Sequence, residues 1–286
     1  MNDETPEPAR LERRITAIGA VHRVVRAIWA LSRAELPRAS AAVAQASAYL
    51  DAVDEVVERL VGASRNVHAE RSLLVVFGPQ RPYCGALSAR LLAQLPRSGG
   101  LALVGERLAE EASSDPDLRA RIQFTLPGAT NPDEHEALAP GIAAQVLAQA
   151  VLPRARVDLL YPRGGGAKLH RAVLLSGTRE PALAPPDTYS PLELVLERAL
   201  GESIAGRLVV ALAEALHSEV KARANAADHA RQACEEKLEE LERTSRAVDQ
   251  EQITNELLEI VAGRRALTRA PPVAGGVAKV QALLRP

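Results

Sequence analysis

The chain has 286 residues, 47% of them hydrophobic and 25% charged, with only 2% aromatic and a formal net charge of -1. Its apolar content rests on Ala, Leu and Val rather than on rings, which favours long helices over a thick globule, and its length allows one or two domains. A pI near 6.6 leaves no global field to attract nucleic acid or an anionic bilayer, so neither is expected as a partner.

The opening "MNDETPEPAR" is acidic and lacks the basic and apolar regions of an export signal. Residues 1–9 read as a disordered tail. A first helix is expected over residues 10–65, because the positions Ile15, Ile18, His22, Val25, Trp29, Ser32, Leu36, Ala39, Val43, Ala46, Leu50, Val53, Val57 and Leu60 recur in steps of three and four. Only His22 and Ser32 break the apolar stripe, and a sustained 3.5-residue repeat predicts a left-handed coiled coil. Pro37 is expected to kink the helix or loosen a turn near Ala34–Leu36.

Residues 66–188 read as a compact α/β domain. The runs "SLLVVFG", "LALVG", "RIQFTL", "RVDLLYP" and "HRAVLLSG" are strand-like, and helical patterns such as "GALSARLLAQL" and "EHEALAPGIAAQVLAQAVL" separate them. Strand alternating with helix predicts a mostly parallel sheet. The last two strands, joined by "RGGGAK", read as a hairpin.

A second long helix is expected over residues 189–266, with Ser190 as N-cap, Pro191 as first helical residue and Glu193 completing a capping box. Its stripe runs through Leu196, Leu200, Ile204, Leu208 and Leu212, then Val220, Ala224, Ala227, Arg231, Cys234, Leu238, Leu241, Ser245 and Val248. A helix this long needs a partner, and the first helix is available if the middle domain returns the chain antiparallel. Further on, Ile253, Leu257 and Ile260 or Val261 continue the stripe, which is expected to pack on the N-terminal helix. Residues 267–286 read as a flexible tail. The most apolar stretch, "GRLVVALAEALHSE", is interrupted by Glu214 well short of the roughly 20 residues of a spanning helix, so no transmembrane segment is expected.

No catalytic, cofactor or metal site assembles in the sequence. "PRGGGAKLH" has glycines before a lysine, but Ala167 precedes Lys168 and Leu169 follows it, so the spacing fails the phosphate loop and fits a hairpin turn. "FGPQRPYCGALS" stands where a dinucleotide fingerprint would sit and lacks its glycines. Cys84 there could be a nucleophile acidified by a helix N-terminus, yet no base partner is identifiable and a structural thiol is the simpler reading. Neither Ser88 nor Ser176 lies in a nucleophile elbow. The six histidines lack zinc spacing, the two cysteines read as free thiols in a reducing compartment, and "EEKLEELER" reads as a solvated helix face with pairs such as Glu239 and Arg243.

Three blocks resemble the gamma subunit of F-type ATP synthases. They are "RRITAIGAVHRVVRA" (Arg13–Ala27), the "CGALS" turn, and "SEVKAR" (Ser218–Arg223) with "QEQITNELLEIVAG" (Gln250–Gly263), in which Ile253, Thr254, Glu256, Glu259 and Gly263 match the family signature. The resemblance covers about Arg10 to Leu267. It implies an α/β fold class in which N- and C-terminal helices form a long antiparallel left-handed coiled coil around an inserted Rossmann-like domain. It also implies a central rotor shaft that couples ion-driven rotation to ATP synthesis or hydrolysis, with no catalysis or cofactor of its own. The partners implied are the alpha and beta subunits, the epsilon subunit and the c-ring, on the cytoplasmic side of the cell membrane. Gln250, Thr254 and Glu256 match positions that bear on the beta subunits, and Arg223 a basic position on the same helix. Asp249, Arg246, Arg264, Trp29 and the tail depart from the usual pattern and mark a divergent branch. The competing readings are a stand-alone coiled-coil scaffold with an α/β recognition domain and, less well supported for want of a phosphate fingerprint, a small-molecule enzyme.

Overall fold

A computed structural model describes residues 8–61, 71–149, 155–175 and 187–269. The chain divides into two compact units, one of residues 23–231 and one of residues 1–22 with 232–286. Two helices serve both units: α1, Pro8–Leu60, and α6, Leu192–Arg269. Parts of the tails expected at residues 1–9 and 267–286, the end of the first helix after residue 61, His68 and Ser176 lie outside the described residues.

Within residues 23–231 the order is α1, β1 (Arg71–Phe77), α2 (Leu87–Leu92), β2 (Gly100–Val104), α3 (Glu106–Ser113), α4 (Pro116–Arg119), β3 (Ile122–Leu126), α5 (His135–Gln149), β4 (Ala155–Arg163), β5 (Lys168–Leu175) and α6. All five expected strands form. They make one sheet in the order β3-β2-β1-β4-β5, parallel except for the β4–β5 hairpin. The helices α3 and α4 were not anticipated, being too short for a periodic pattern to stand out.

The central strand β1 is buried on both faces, so it reads as an unbroken apolar run rather than an alternation. Its residues still sort by parity. Leu73, Val75 and Phe77 pack with Val157 and Leu159 against Ile142 and Val146 of α5 and Leu208 and Leu212 of α6, whereas Leu74 and Val76 pack with Leu101 and Leu103 against Leu91 of α2 and Leu108 of α3. Gly105, at φ +121°, lets the β2–α3 turn pass under the end of β1, where a Cβ would stand 2.6 Å from the Gly78 carbonyl oxygen.

Along α1 every residue of the expected stripe from Ile15 to Leu60 is buried or half-buried, and so is every stripe residue of α6 from Leu196 to Val248. The pairing is antiparallel. In residues 23–231, Asp54 meets Ser203 and Arg207, Ala46 packs with Val210 and Ala213, and Leu36 packs with Leu216 and Val220. From Leu208 to Val220, α6 is buried nearly all round. It lies between α1 and the sheet there, and alanines let it approach both.

Three expectations need correction. Of the two effects expected at Pro37, no loosened turn is present, since Ala34–Leu36 stay α-helical; the proline sits on the exposed side while Ser32, Leu36 and Ala39 hold the other face, so the lost backbone bond does not interrupt the helix. The α6 helix begins one residue later than expected, since the Pro191 carbonyl accepts from the Leu194 and Val195 amides. The third concerns the last stripe: every residue from Asp249 to Arg265 is exposed, so Ile253, Leu257, Ile260 and Val261 do not pack on α1. In the unit of residues 1–22 and 232–286, His22 pairs with Glu235 at 3.1 Å, a register that brings Pro8 level with Asp249. No described residue of α1 lies opposite α6 beyond that level.

One window of α1 is long and apolar enough to cross a bilayer by length and composition. That window is mostly exposed, and the narrow stripe that α1 does bury packs on α6.

Candidate functional site

The buried stretch of α6 is apolar except where it meets the α/β body, and there its polar groups are matched one by one. The Glu214 carboxylate accepts from the Gly164 amide at 3.1 Å and pairs with Arg163 at 3.5 Å. Burial pushes its pKa up, opposed by those two groups. The Ser218 hydroxyl donates to the Pro162 carbonyl at 3.4 Å. Only His217 Nδ1, among the described buried groups on α6, has no partner; burial, then the charge of Lys221, lowers its pKa.

The densest of these contacts centres on Glu219, which is 1% exposed. One carboxylate oxygen accepts the Gln80 amide at 2.6 Å, and the other takes the Arg81 Nε at 3.0 Å and a guanidinium nitrogen of Arg223. Arg81 reaches on to Glu35 of α1 at 3.3 Å, and Arg223 donates to the Pro82 carbonyl at 3.3 Å. The Gln80 side chain completes the fastening by accepting from the Glu106 and Gly128 amides at 3.1 and 2.7 Å. One loop, Gly78 to Gly85, is thus tied to α1, to α6 and to the turns after β2 and β3. A buried carboxylate held by two guanidiniums and an amide is costly to expose on one side only.

Within the same loop Cys84 is buried, donates to the Arg81 carbonyl at 3.1 Å and has Arg223 Nη2 at 3.8 Å. Burial, reinforced by the negative charge of Glu219, pushes its thiol up to about 11. That is the opposite of an activated nucleophile, and the structural reading of Cys84 stands. No group of three or more His, Cys, Asp or Glu among the described residues could hold a metal ion.

The nominated coupling residues fall in two different settings. Arg223 is 7% exposed and committed to Glu219 and to the loop. Gln250, Thr254 and Glu256 are exposed on the end of α6 beyond α1. There the Thr254 hydroxyl donates to the Gln250 carbonyl at 2.8 Å and Gln252 Nε2 donates to Glu256 at 3.1 Å, local contacts that leave the carboxylate open to a partner. Around them Ile253, Leu257, Leu258, Ile260 and Val261 are all between 47% and 68% exposed. The sequence reading missed Glu219, Arg81, Gln80 and Glu35. The signal was present for the first: Glu219 stands four residues from Arg223 at the end of an otherwise alanine- and leucine-rich run.

Comparison with known proteins agrees with this architecture. A family model described as ATP synthase matches residues 8–267. The mitochondrial ATP synthase subunit gamma of Yarrowia lipolytica is 24% identical over 271 residues, covering 90% of this chain and 91% of the relative. Among solved structures, a chain of the Euglena gracilis mitochondrial ATP synthase (OSCP/F1/c-ring, rotational state 3) superposes with a TM-score of 0.66 at 15% identity, covering 94% of this chain and 98% of the other. A chain of the central stalk and c-ring of the Tetrahymena thermophila enzyme gives 0.53 at 20% identity, covering 72% and 99%; at such identities these likenesses speak for the fold. With the family model spanning nearly its whole length and the paired helices and parallel sheet in place, the chain belongs to the family of ATP synthase gamma subunits.

Proposed function

We propose that the chain is the rotor shaft of an ion-translocating F-type ATP synthase, coupling rotation of a membrane ring to ATP synthesis or hydrolysis in a surrounding ring of alpha and beta subunits. It has no catalysis of its own in this reading, and no membrane-spanning segment. The complex stands on the cytoplasmic side of the cell membrane, with the α/β body against the c-ring and the epsilon subunit. The observation that carries the reading is the end of α6, where five large apolar side chains are exposed together over residues 253–261. Clustered exposure of that kind on a stretch of helix with no mate among the described residues favours a surface made for a partner.

Gln250, Thr254 and Glu256 then make the contacts that change as the shaft turns, and each orientation biases the catalytic sites by differential contact. Arg223 acts differently from these three. It secures, with Glu219, the loop that fastens the α/β body to α6, so that the body and the helix turn together. The test is Glu256→Ala in the assembled complex. Ion-coupled ATP turnover is expected to fall severalfold while subunit stoichiometry is unchanged; equal loss of assembly and turnover would make Glu256 a structural residue.

A further inference from the structure

The glycine-rich hairpin tip that fails the phosphate-loop spacing nevertheless lines a cavity of about 450 Å³. Its walls are the Cys84–Leu87 turn, Arg90 of α2, the tip residues Gly165–Ala167, and the face of α6 from Lys221 to His229. No Asp or Glu among the described residues lines it. The nearby carboxylates are engaged elsewhere: Glu219 holds Arg81 and Arg223, Glu214 holds Arg163, and Asp228 pairs with Arg231.

Among the described residues the cations have no counter-charges. Arg90 donates to the Gly166 and Ala167 carbonyls at 2.8 and 3.4 Å, neutral acceptors that fix its guanidinium and leave its charge uncompensated. Lys221 forms no ion pair among the described residues, and its side chain is laid against the hairpin tip: a Cβ on Gly165 would stand 2.3 Å from Lys221 Cδ and 2.9 Å from Nζ. The positive φ of Gly165, +67°, and the absence of its side chain both make room for that arm. A second cavity, about 540 Å³, shares Arg90 and Ala167 with the first and adds Lys168 and Gln94, again with no carboxylate among the described residues of its lining. Cations gathered beside apolar walls, one of them held in place by two carbonyls, concentrate a positive potential in such a recess.

We infer that these two adjoining cavities form a binding site for a small compound bearing two phosphoryl groups, one group taken by Lys221 and the other by Lys168, with Arg90 between them. The site is independent of the rotor reading. An acidic peptide is the alternative occupant that the same charges could attract, but the division of the recess into two compartments about a shared arginine suits two compact anionic groups better than an extended chain.

The full chain is to be titrated calorimetrically, at low salt and without divalent cations, with pyrophosphate, with inorganic phosphate and with a poly-glutamate peptide. Pyrophosphate is expected to bind about tenfold more tightly than phosphate. Lys221→Met and Lys168→Met should each weaken it about fivefold with circular dichroism unchanged, while Lys221→Arg keeps it. Absence of pyrophosphate binding, binding indifferent to both methionine variants, or Lys221-dependent binding of the peptide in preference to pyrophosphate overturns the assignment.

Discussion

Glu219 grips Arg223 one turn further along the same helix and at the same time accepts the amide of Gln80, 139 positions earlier in the chain. A single carboxylate therefore sets both the local geometry of α6 and the place of the loop after β1. Removing it leaves Arg223, whose side chain is only 8% exposed, without its carboxylate, and Arg81 with Glu35 alone. Glu219→Ala should lower the stability of the full chain by about 3–5 kcal/mol in urea unfolding. A loss below about 1 kcal/mol would show that the loop is held by its apolar neighbours instead.

Cys84 supplies a pH-dependent check on the same loop. Its thiol is raised from 9.0 to about 11, so the folded state favours the protonated form. That contribution is fully present below pH 9 and is lost as pH rises through 11, at a slope approaching about 1.4 kcal/mol per pH unit between them. The difference in stability between the wild type and Cys84→Ala should shrink accordingly over that window. Alkylation of Cys84 at pH 8 should run about a hundredfold slower than that of an unperturbed thiol. Labelling at the free-thiol rate would mean that the loop opens readily.

Pro37 is an exposed proline in mid-helix that withholds a backbone donor. Pro37→Ala restores that donor without disturbing the packed face, and should raise the thermal stability of the chain by about 1–3 kcal/mol. An unchanged or lowered midpoint would indicate that the helix depends on the proline's shape.

The stripes on the two long helices were legible in the sequence because each position from Ile15 to Leu60 and from Leu196 to Val248 sees the same kind of environment, one partner helix or the sheet. The five strands were legible for a similar reason: burial on both faces writes a continuous apolar run. Past Asp249 the pattern misled. Ile253 and Leu257 keep the helical spacing of buried residues although no described residue of α1 lies opposite them, since the spacing of an apolar stripe on a helix does not itself say what covers it. The Glu219 network was illegible in outline because its members come from Glu35, Gln80, Arg81 and Arg223, and only the fold brings those positions together. What could be read was a charge pair set in an apolar stretch of α6.

In the proposed role this chain works inside a larger rotary assembly. The most direct measurement is to tag the chain in cells that express the complete set of ATP synthase genes beside it, and to purify it under conditions that preserve complexes. Alpha, beta and epsilon subunits should co-purify in fixed ratio with ATP turnover, while the chain purified alone shows none. Recovery of a monodisperse chain free of those subunits would contradict the rotor account and leave a coiled-coil scaffold in its place.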